Sequence, residues 1–313
     1  MDERVKNKSL SSRIGDCPFF GESSIRGIEQ PWGKIYWGGG GLETSMKITA
    51  ADIFASVRKI RERGPVVHNI TNYVAMNNSA NALLAIGASP VMAHAEEEVE
   101  AMVGIASALV VNIGTLSGPW IRAMFQAVHT AKARGIPIVL DPVGAGATTY
   151  RTRTALELMR AAPPSLLRGN ASEILAVAGE RGGTKGVDTT EASTGAVEAA
   201  RSLSRDFGST VCVSGETDFI VWGEGVLRVG NGHILMTRVT ALGCTASALC
   251  GAFAAVESSI PTAAAQAMAV MGIAGEMAAE GADGPGSLQV RFLDALYRLS
   301  ERDIERRLKI EAG

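Results

Sequence analysis

The chain has 313 residues, 46% of them hydrophobic and 20% charged, with a net charge of -2; this suits a globular protein with a large core and argues against a nucleic-acid binder, which normally needs a basic face. Cys17, Cys212, Cys244 and Cys250 form no CxxC pair and are accompanied by only four histidines, so neither a zinc centre nor a disulfide framework is indicated, and a reducing cytoplasm is expected. No run approaches the ~18 apolar residues of a membrane span and no compact apolar signal segment opens the chain, which leaves a small molecule as the expected partner, with no nucleic acid and no membrane.

Residues 1–47 are polar and glycine-rich, ending in "YWGGGGLETSMK" without a clear period. They read as an N-terminal extension outside the functional core, with Met46 as an alternative first residue, and residues 48–313 as one catalytic domain. From about residue 50 the pattern changes. "ADIFASVRKIRERG" has helical spacing and stops at Gly64, "PVVHN" is extended, and "NNSANALLAIG" is helical. "SPVMA", "ALVVNI", "IPIVLD", "SLLRG" and "TVCVSG" then read as strands, with helices predicted near 95–104, 118–134, 150–161 and 189–206. Such alternation predicts an α/β fold: a mostly parallel central sheet with helices on both faces. "TDFIVWGEGVLRVGNG" predicts an antiparallel hairpin turning at residues 223–225. Three helices follow near 243–257, 261–280 and 289–302, the first two rich in Ala, Gly and Met and therefore expected to be buried.

Ligands of open α/β sheets bind beyond the carboxyl ends of the strands, and four exits carry chemistry. After the first strand, Asn69, Thr71 and Asn72 either shape a turn or converge with Met92 on a small ligand. In "VLDPVGAG", Asp141 closes an apolar strand; it either begins an ordinary turn or holds Mg2+ while Gly144 and Gly146 let the backbone approach phosphate. In "RGNASE", Asn170 and Glu173 fit a capping box and equally a set organising the waters of Mg2+, with Arg168 suited to a polyphosphate. In "TRVTALGCTASALCGAF", Gly243 and Cys244 open a helix whose free N–H groups form an anion site. A thiolate there would be stabilised below its ordinary range, although a small residue packed at a helix start reads the same way. A Mg2+ carboxylate pair, an arginine and an anion hole at successive exits suit phosphoryl transfer, whereas no Walker loop and no dinucleotide fingerprint is present.

"VHNITNYVAMNNSANALLAIGASPVM", "NIGTL", "LDPVGAGA", "LRGNASEI", "KGVDTT" and "SGETD" together resemble, in order, the hydroxyethylthiazole kinases of the ribokinase-like superfamily. The resemblance runs from about residue 50 to the C-terminus. It implies transfer of the γ-phosphate of ATP, with Mg2+, to the alcohol of 4-methyl-5-(2-hydroxyethyl)thiazole. It further implies that Met92, Asn69 and Ala241 contact the thiazole, Arg168 and Ser214 bind ATP, and Asp141 and Glu173 serve Mg2+. Cys244 would be the base for the acceptor hydroxyl, and the N–H groups from about 242 to 245 would stabilise the transferring group. Where many members read Gly-Thr-Gly-Cys, this chain reads Ala241, Leu242, Gly243, Cys244. The family's trimeric habit implies a homotrimer with the thiazole between subunits. The alternatives are a kinase for another heterocyclic alcohol such as hydroxymethylpyrimidine, a nicotinamide-hydrate repair lyase of the same fold, and a non-enzymatic sensor of thiamine precursors.

Overall fold

In the computed structural model, residues 47–182 and 192–313 are described. All but the last residue of the predicted extension over 1–47, and the "KGVDTT" segment, lie outside the described residues. In chain order the elements are α1 (Ala50–Arg63), β1 (Val66–Ile70), α2 (Met76–Ile86), β2 (Ser89–Val91), α3 (Val99–Ile105), β3 (Ala108–Asn112), α4 (Gly118–Arg134), β4 (Ile138–Asp141), α5 (Thr149–Ala161), β5 (Leu166–Asn170) and α6 (Ala171–Gly182). They continue with α7 (Ala192–Phe207), β6 (Thr210–Ser214), β7 (Asp218–Trp222), β8 (Gly225–Val229), α8 (Leu242–Ala254), α9 (Ile260–Ala279), α10 (Pro285–Arg298), α11 (Glu301–Arg307) and β9 (Ile310–Ala312).

Helix ends follow local chemistry. Thr49 and Asp52 close a capping box at the start of α1, and Gly64 ends it in the left-handed conformation, satisfying backbone groups that would otherwise face nothing. Ile53, Val57 and Ile60 of α1 recur at helical spacing and are fully buried, so one face of the helix is committed to the core.

The strands form one sheet in the order β2-β1-β3-β4-β5-β6-β7-β8-β9. Pairings from β2 through β6 are parallel, and β7, β8 and β9 add antiparallel strands at one edge. The hairpin between β7 and β8 pairs Trp222 with Gly225, so its turn is the two residues 223 and 224, with Gly225 of the predicted 223–225 turn already in the strand.

Two hydrophobic cores flank the sheet, and the period-two alternation of strand side chains explains why. Val110, Val139, Leu166, Cys212 and Ile220 enter the core that contains buried residues of α1, α2, α8, α9 and α10. Their neighbours Leu109, Val111, Leu140, Leu167, Val211, Val213 and Val221 enter the opposite core, with α3, α4, α5, α6 and α7. Helix α8 lies close against the sheet. A Cβ added at Gly251 would come within 2.6 Å of Val110 Cγ2 and 3.0 Å of Val67 Cγ1, so the contact is backbone to side chain and needs glycine.

Two elements differ from the sequence reading. The last predicted helix at 289–302 is two helices, because Leu299 turns out of helical geometry and Ser300 starts α11 with its own capping box to Asp303. Strand β9 had no sequence signal of its own; three residues are too few to show alternation, and its partner β8 supplies the ladder.

Candidate active site

The alternation that sorts the cores also aligns the polar strand ends. Two residues beyond Val67, Val110, Val139 and Leu166, all in the core that packs against α8, stand Asn69, Asn112, Asp141 and Arg168. They therefore face the same side. Asn112 and Asp141 are register partners on β3 and β4, and Asn112 Nδ2 donates to Asp141 Oδ2 at 2.8 Å.

A hydrogen-bonded loop grows from this pair and closes on α8. Asn72 Nδ2 donates to Asn112 Oδ1 at 2.8 Å and to Cys244 Sγ at 3.3 Å. Ser247 Oγ donates to Asp141 Oδ2 at 2.7 Å. Cys244 and Ser247 are three apart on α8 and share a face, so the chain Cys244, Asn72, Asn112, Asp141, Ser247 begins and ends on the same helix. Asn72 also shapes its turn, since its Oδ1 accepts from Ala75 N at 3.0 Å.

Arg168 lies beneath the start of α8. Its Nη1 is 3.9 Å from Asp141 Oδ2 and donates to Ser247 Oγ at 3.4 Å, and a Cβ added at Gly243 would be 3.7 Å from the same nitrogen. The residue is only 7% exposed. Its burial opposes the charge, but Asp141, Cys212, Cys250 and Asp218 outweigh that and hold its pKa above the ordinary value. Burial likewise pushes Asp141 up to about 6 despite Arg168 and Ser247, and Asp218 up to about 6 despite a bond from Gly215 N.

Ala241 caps α8 with φ 66° and ψ 0°, and Thr245 N makes the first backbone bond to Ala241 O at 2.9 Å. The free donors aimed beyond the helix are thus the N–H groups of 242 to 244, and Thr245 leaves the set expected from the sequence. The expectation for the Cys244 thiol reverses. Burial, then the Asp141 carboxylate, raises it above the ordinary cysteine value, and the bonds from Asn72 and Asn112 offset this only in part.

The remaining predicted residues are dispersed around this centre. Glu173 accepts from Asn170 N at 2.9 Å while Asn170 Oδ1 accepts from Glu173 N at 3.0 Å, so the capping box is formed. The other Glu173 oxygen accepts from Gly144 N at 2.8 Å, tying α6 to the glycine loop after β4. Ser214 ends β6 and donates to Gly169 O at 3.2 Å. Met92 follows β2 and is half-buried. Asn69 is buried; its Nδ2 donates to Val67 O at 2.9 Å, and its Oδ1 has no partner among the described residues.

A hard cation suits these oxygen donors. Among the described residues no group of three or more His, Cys, Asp or Glu side chains gathers as a cage.

The family model described as the hydroxyethylthiazole kinase family matches residues 57–302. The chain belongs to the hydroxyethylthiazole kinase family. A hydroxyethylthiazole kinase of Syntrophus aciditrophicus is 67% identical over 269 residues, covering 86% of this chain and all of that one. The solved structure of a hydroxyethylthiazole kinase protein from Pyrococcus horikoshii OT3 is 46% identical, with a TM-score of 0.78 over 83% of this chain and 98% of that one. A Staphylococcus aureus pyridoxal kinase, in complex with AMP-PCP and pyridoxal, shares the fold at 14% identity, with a TM-score of 0.55 over 79% of this chain and 97% of that one. As a member of the family, the chain is an alcohol phosphotransferase of ribokinase-like fold.

Sequence reasoning missed Asn112, Ser247 and Asp218 as parts of this centre. Asn112 had a signal in "NIGTL", a polar residue ending an otherwise apolar strand as Asp141 does. Ser247 had one too, lying one helical turn beyond Cys244.

Proposed function

We propose that the chain transfers the γ-phosphoryl group of ATP to the primary alcohol of 4-methyl-5-(2-hydroxyethyl)thiazole at the N-terminus of α8. The observation that carries this reading is the hydrogen-bonded loop from Cys244 through Asn72, Asn112 and Asp141 to Ser247. It fixes a proton acceptor, a carboxylate and three free N–H groups against one another before substrate arrives.

The alcohol oxygen bonds to the γ-phosphorus as the bond to the β-phosphate oxygen breaks and ADP leaves; the alcohol proton passes to the Cys244 thiolate. A thiolate whose pKa is raised is a stronger acceptor though a scarcer one, and in a loose transition state the proton is needed late. The N–H groups of 242 to 244 and the buried Arg168 meet the charge spread over the transferring group. Asp141 and Glu173 would hold Mg2+, which when bound neutralises phosphate charge. Ser214 and Arg168 serve ATP, and Met92, Asn69 and Ala241 bound the thiazole. The homotrimer implied by the family resemblance would place Met92 and Asn69 of one subunit opposite Ala241 and Cys244 of the next. Residues 1–47 are an extension outside the kinase domain.

The test is ADP release from Mg-ATP with the thiazole alcohol, with hydroxymethylpyrimidine and with no acceptor, and mass detection of the product. Thiazole phosphate formed only with the first supports the reading; turnover with the pyrimidine alone overturns the substrate.

A further inference from the structure

Ala241 is the only residue other than glycine with a positive φ among the described residues. A side chain disfavours that region, and alanine is the strongest helix former. A relaxed alternative lies close by. Turning over the peptide plane between residues 240 and 241 alters ψ of Thr240 and φ of Ala241 and little else, and it brings Ala241 to helical values. Helix α8 would then start one residue earlier. Thr240 O would become the cap carbonyl and would accept from the N–H of Cys244, since a helix bonds each N–H to the carbonyl four residues back. One of the three free donors at the site would be lost.

Thr240 O is already engaged. Asn78 Nδ2, from α2, donates to it at 3.2 Å, and Gln289 Nε2, from α10, donates to Asn78 Oδ1 at 2.9 Å. The second bond fixes which end of the Asn78 amide faces Thr240, because only the Nδ2 end can donate. Two helices, α2 directly and α10 through Asn78, thus meet at the one carbonyl whose orientation decides where α8 begins.

We propose that Asn78, held by Gln289, is a positioning residue for phosphoryl transfer: it keeps the 240–241 peptide turned so that the Cys244 N–H stays free for the transferring group. This rests on the reading of the α8 N-terminus as the phosphoryl site. The clamp matters here because position 241 carries alanine. With glycine at 241 the positive φ costs little and the peptide holds its orientation without help.

The experiment compares the parent with Asn78→Ala, Gln289→Ala, Ala241→Gly and the double variant Asn78→Ala with Ala241→Gly. Alanine suits α2 and α10, and both wild-type side chains are only half-buried, so the variants should fold. Two readouts are taken: kcat and KM for ATP with the thiazole alcohol, and hydrogen exchange of the Cys244 amide in protein labelled with 15N-cysteine. Asn78→Ala should lower kcat about fivefold to tenfold, the worth of one hydrogen bond, with KM for ATP within about twofold. Gln289→Ala should lower it by less. The Cys244 amide should exchange about tenfold more slowly in Asn78→Ala, since it gains an intrahelical partner. Both effects should vanish when Asn78→Ala is made in the Ala241→Gly background, compared with Ala241→Gly alone. Unchanged Cys244 exchange in Asn78→Ala, or losses that persist with glycine at 241, would overturn the proposal. If the parent transfers no phosphate to the thiazole alcohol, the reaction reading fails, and the exchange comparison still decides the clamp.

Discussion

Cys244 is held in a position that makes its chemistry legible as pH dependence. Its thiol is raised by burial and by Asp141, and a base must lose its proton before it can accept one. Turnover should therefore rise with pH through and beyond the ordinary cysteine range. Cys244→Ala should lower kcat by about 100-fold to 10,000-fold with ATP binding little changed. Cys244→Asp should keep activity and move the rise to acid pH, as a pH–rate series on the two proteins would record; a rate in the alanine variant equal to that of the parent would leave Cys244 a packing residue. Asp141 makes a separate prediction. Its folded value of about 6 lies above the roughly 3.9 of an unfolded aspartate, so its contribution to stability is present below about pH 4 and is lost as pH rises through about 6. Asp141→Asn removes that titration, so the stability of the ligand-free parent relative to the variant should fall as pH is raised from about 4 to 8, as a urea-unfolding series on the two proteins would record, on top of a pH-independent cost of leaving the buried Arg168 without its carboxylate. A gap independent of pH would sink that account. The sequence revealed Cys244, Asp141 and Arg168 because each stands out at an exit. It hid the direction of the cysteine shift, since a helix start says nothing of the carboxylate that the neighbouring strand brings up from below.

At the scale of elements, the geometry of the candidate site depends on α8 lying close against the sheet. Gly251→Ala would press a methyl group into Val110 and Val67, and overpacking of that kind costs about 1 to 3 kcal/mol. Denaturant unfolding should show that loss, together with a fall in kcat larger than any change in KM for ATP, since α8 would be displaced from Asp141. The strands and helices themselves were largely readable. Alternating Leu109, Val110 and Val111 mark a strand buried on both faces, and Thr49 with Asp52 and Gly64 marks the two ends of α1. The join between α10 and α11 was not, because Leu299 is apolar and buried and continues the helical pattern while its backbone leaves it. Ser300 and Asp303 carried the signal of a new start, and a capping box inside an apolar run is easily absorbed into the run.

For the whole molecule, the shared site of the proposed trimer gives an outcome that no single-subunit site allows. Met92→Asp and Cys244→Ala, each inactive alone, should regain activity when their subunits are mixed and reassembled, because some sites then receive an intact Met92 from one chain and an intact Cys244 from the other. Mixed assemblies no more active than their parts would place the whole site in one chain. The same scale decides the extension. Removal of residues 1–46 should leave kcat and KM within about twofold, as initial rates on the shortened chain would measure; the alignment with the Syntrophus relative spans all of that protein while covering 86% of this one. Oligomeric state leaves little trace in a single sequence, since small buried residues in α8 and α9 serve packing within a chain as well as packing between chains.

Gly251 has one further bearing on how the enzyme works over time. A helix in van der Waals contact with the strands beneath it has no slack along that direction, and interiors packed this tightly move between discrete arrangements or not at all. On the proposed reading the general base and the anion donors of α8 are stationary, so the work of admitting ATP, excluding water and letting ADP go falls on segments that leave the strands rather than on α8. Opening of those segments would then set the pace of turnover once the chemistry is fast.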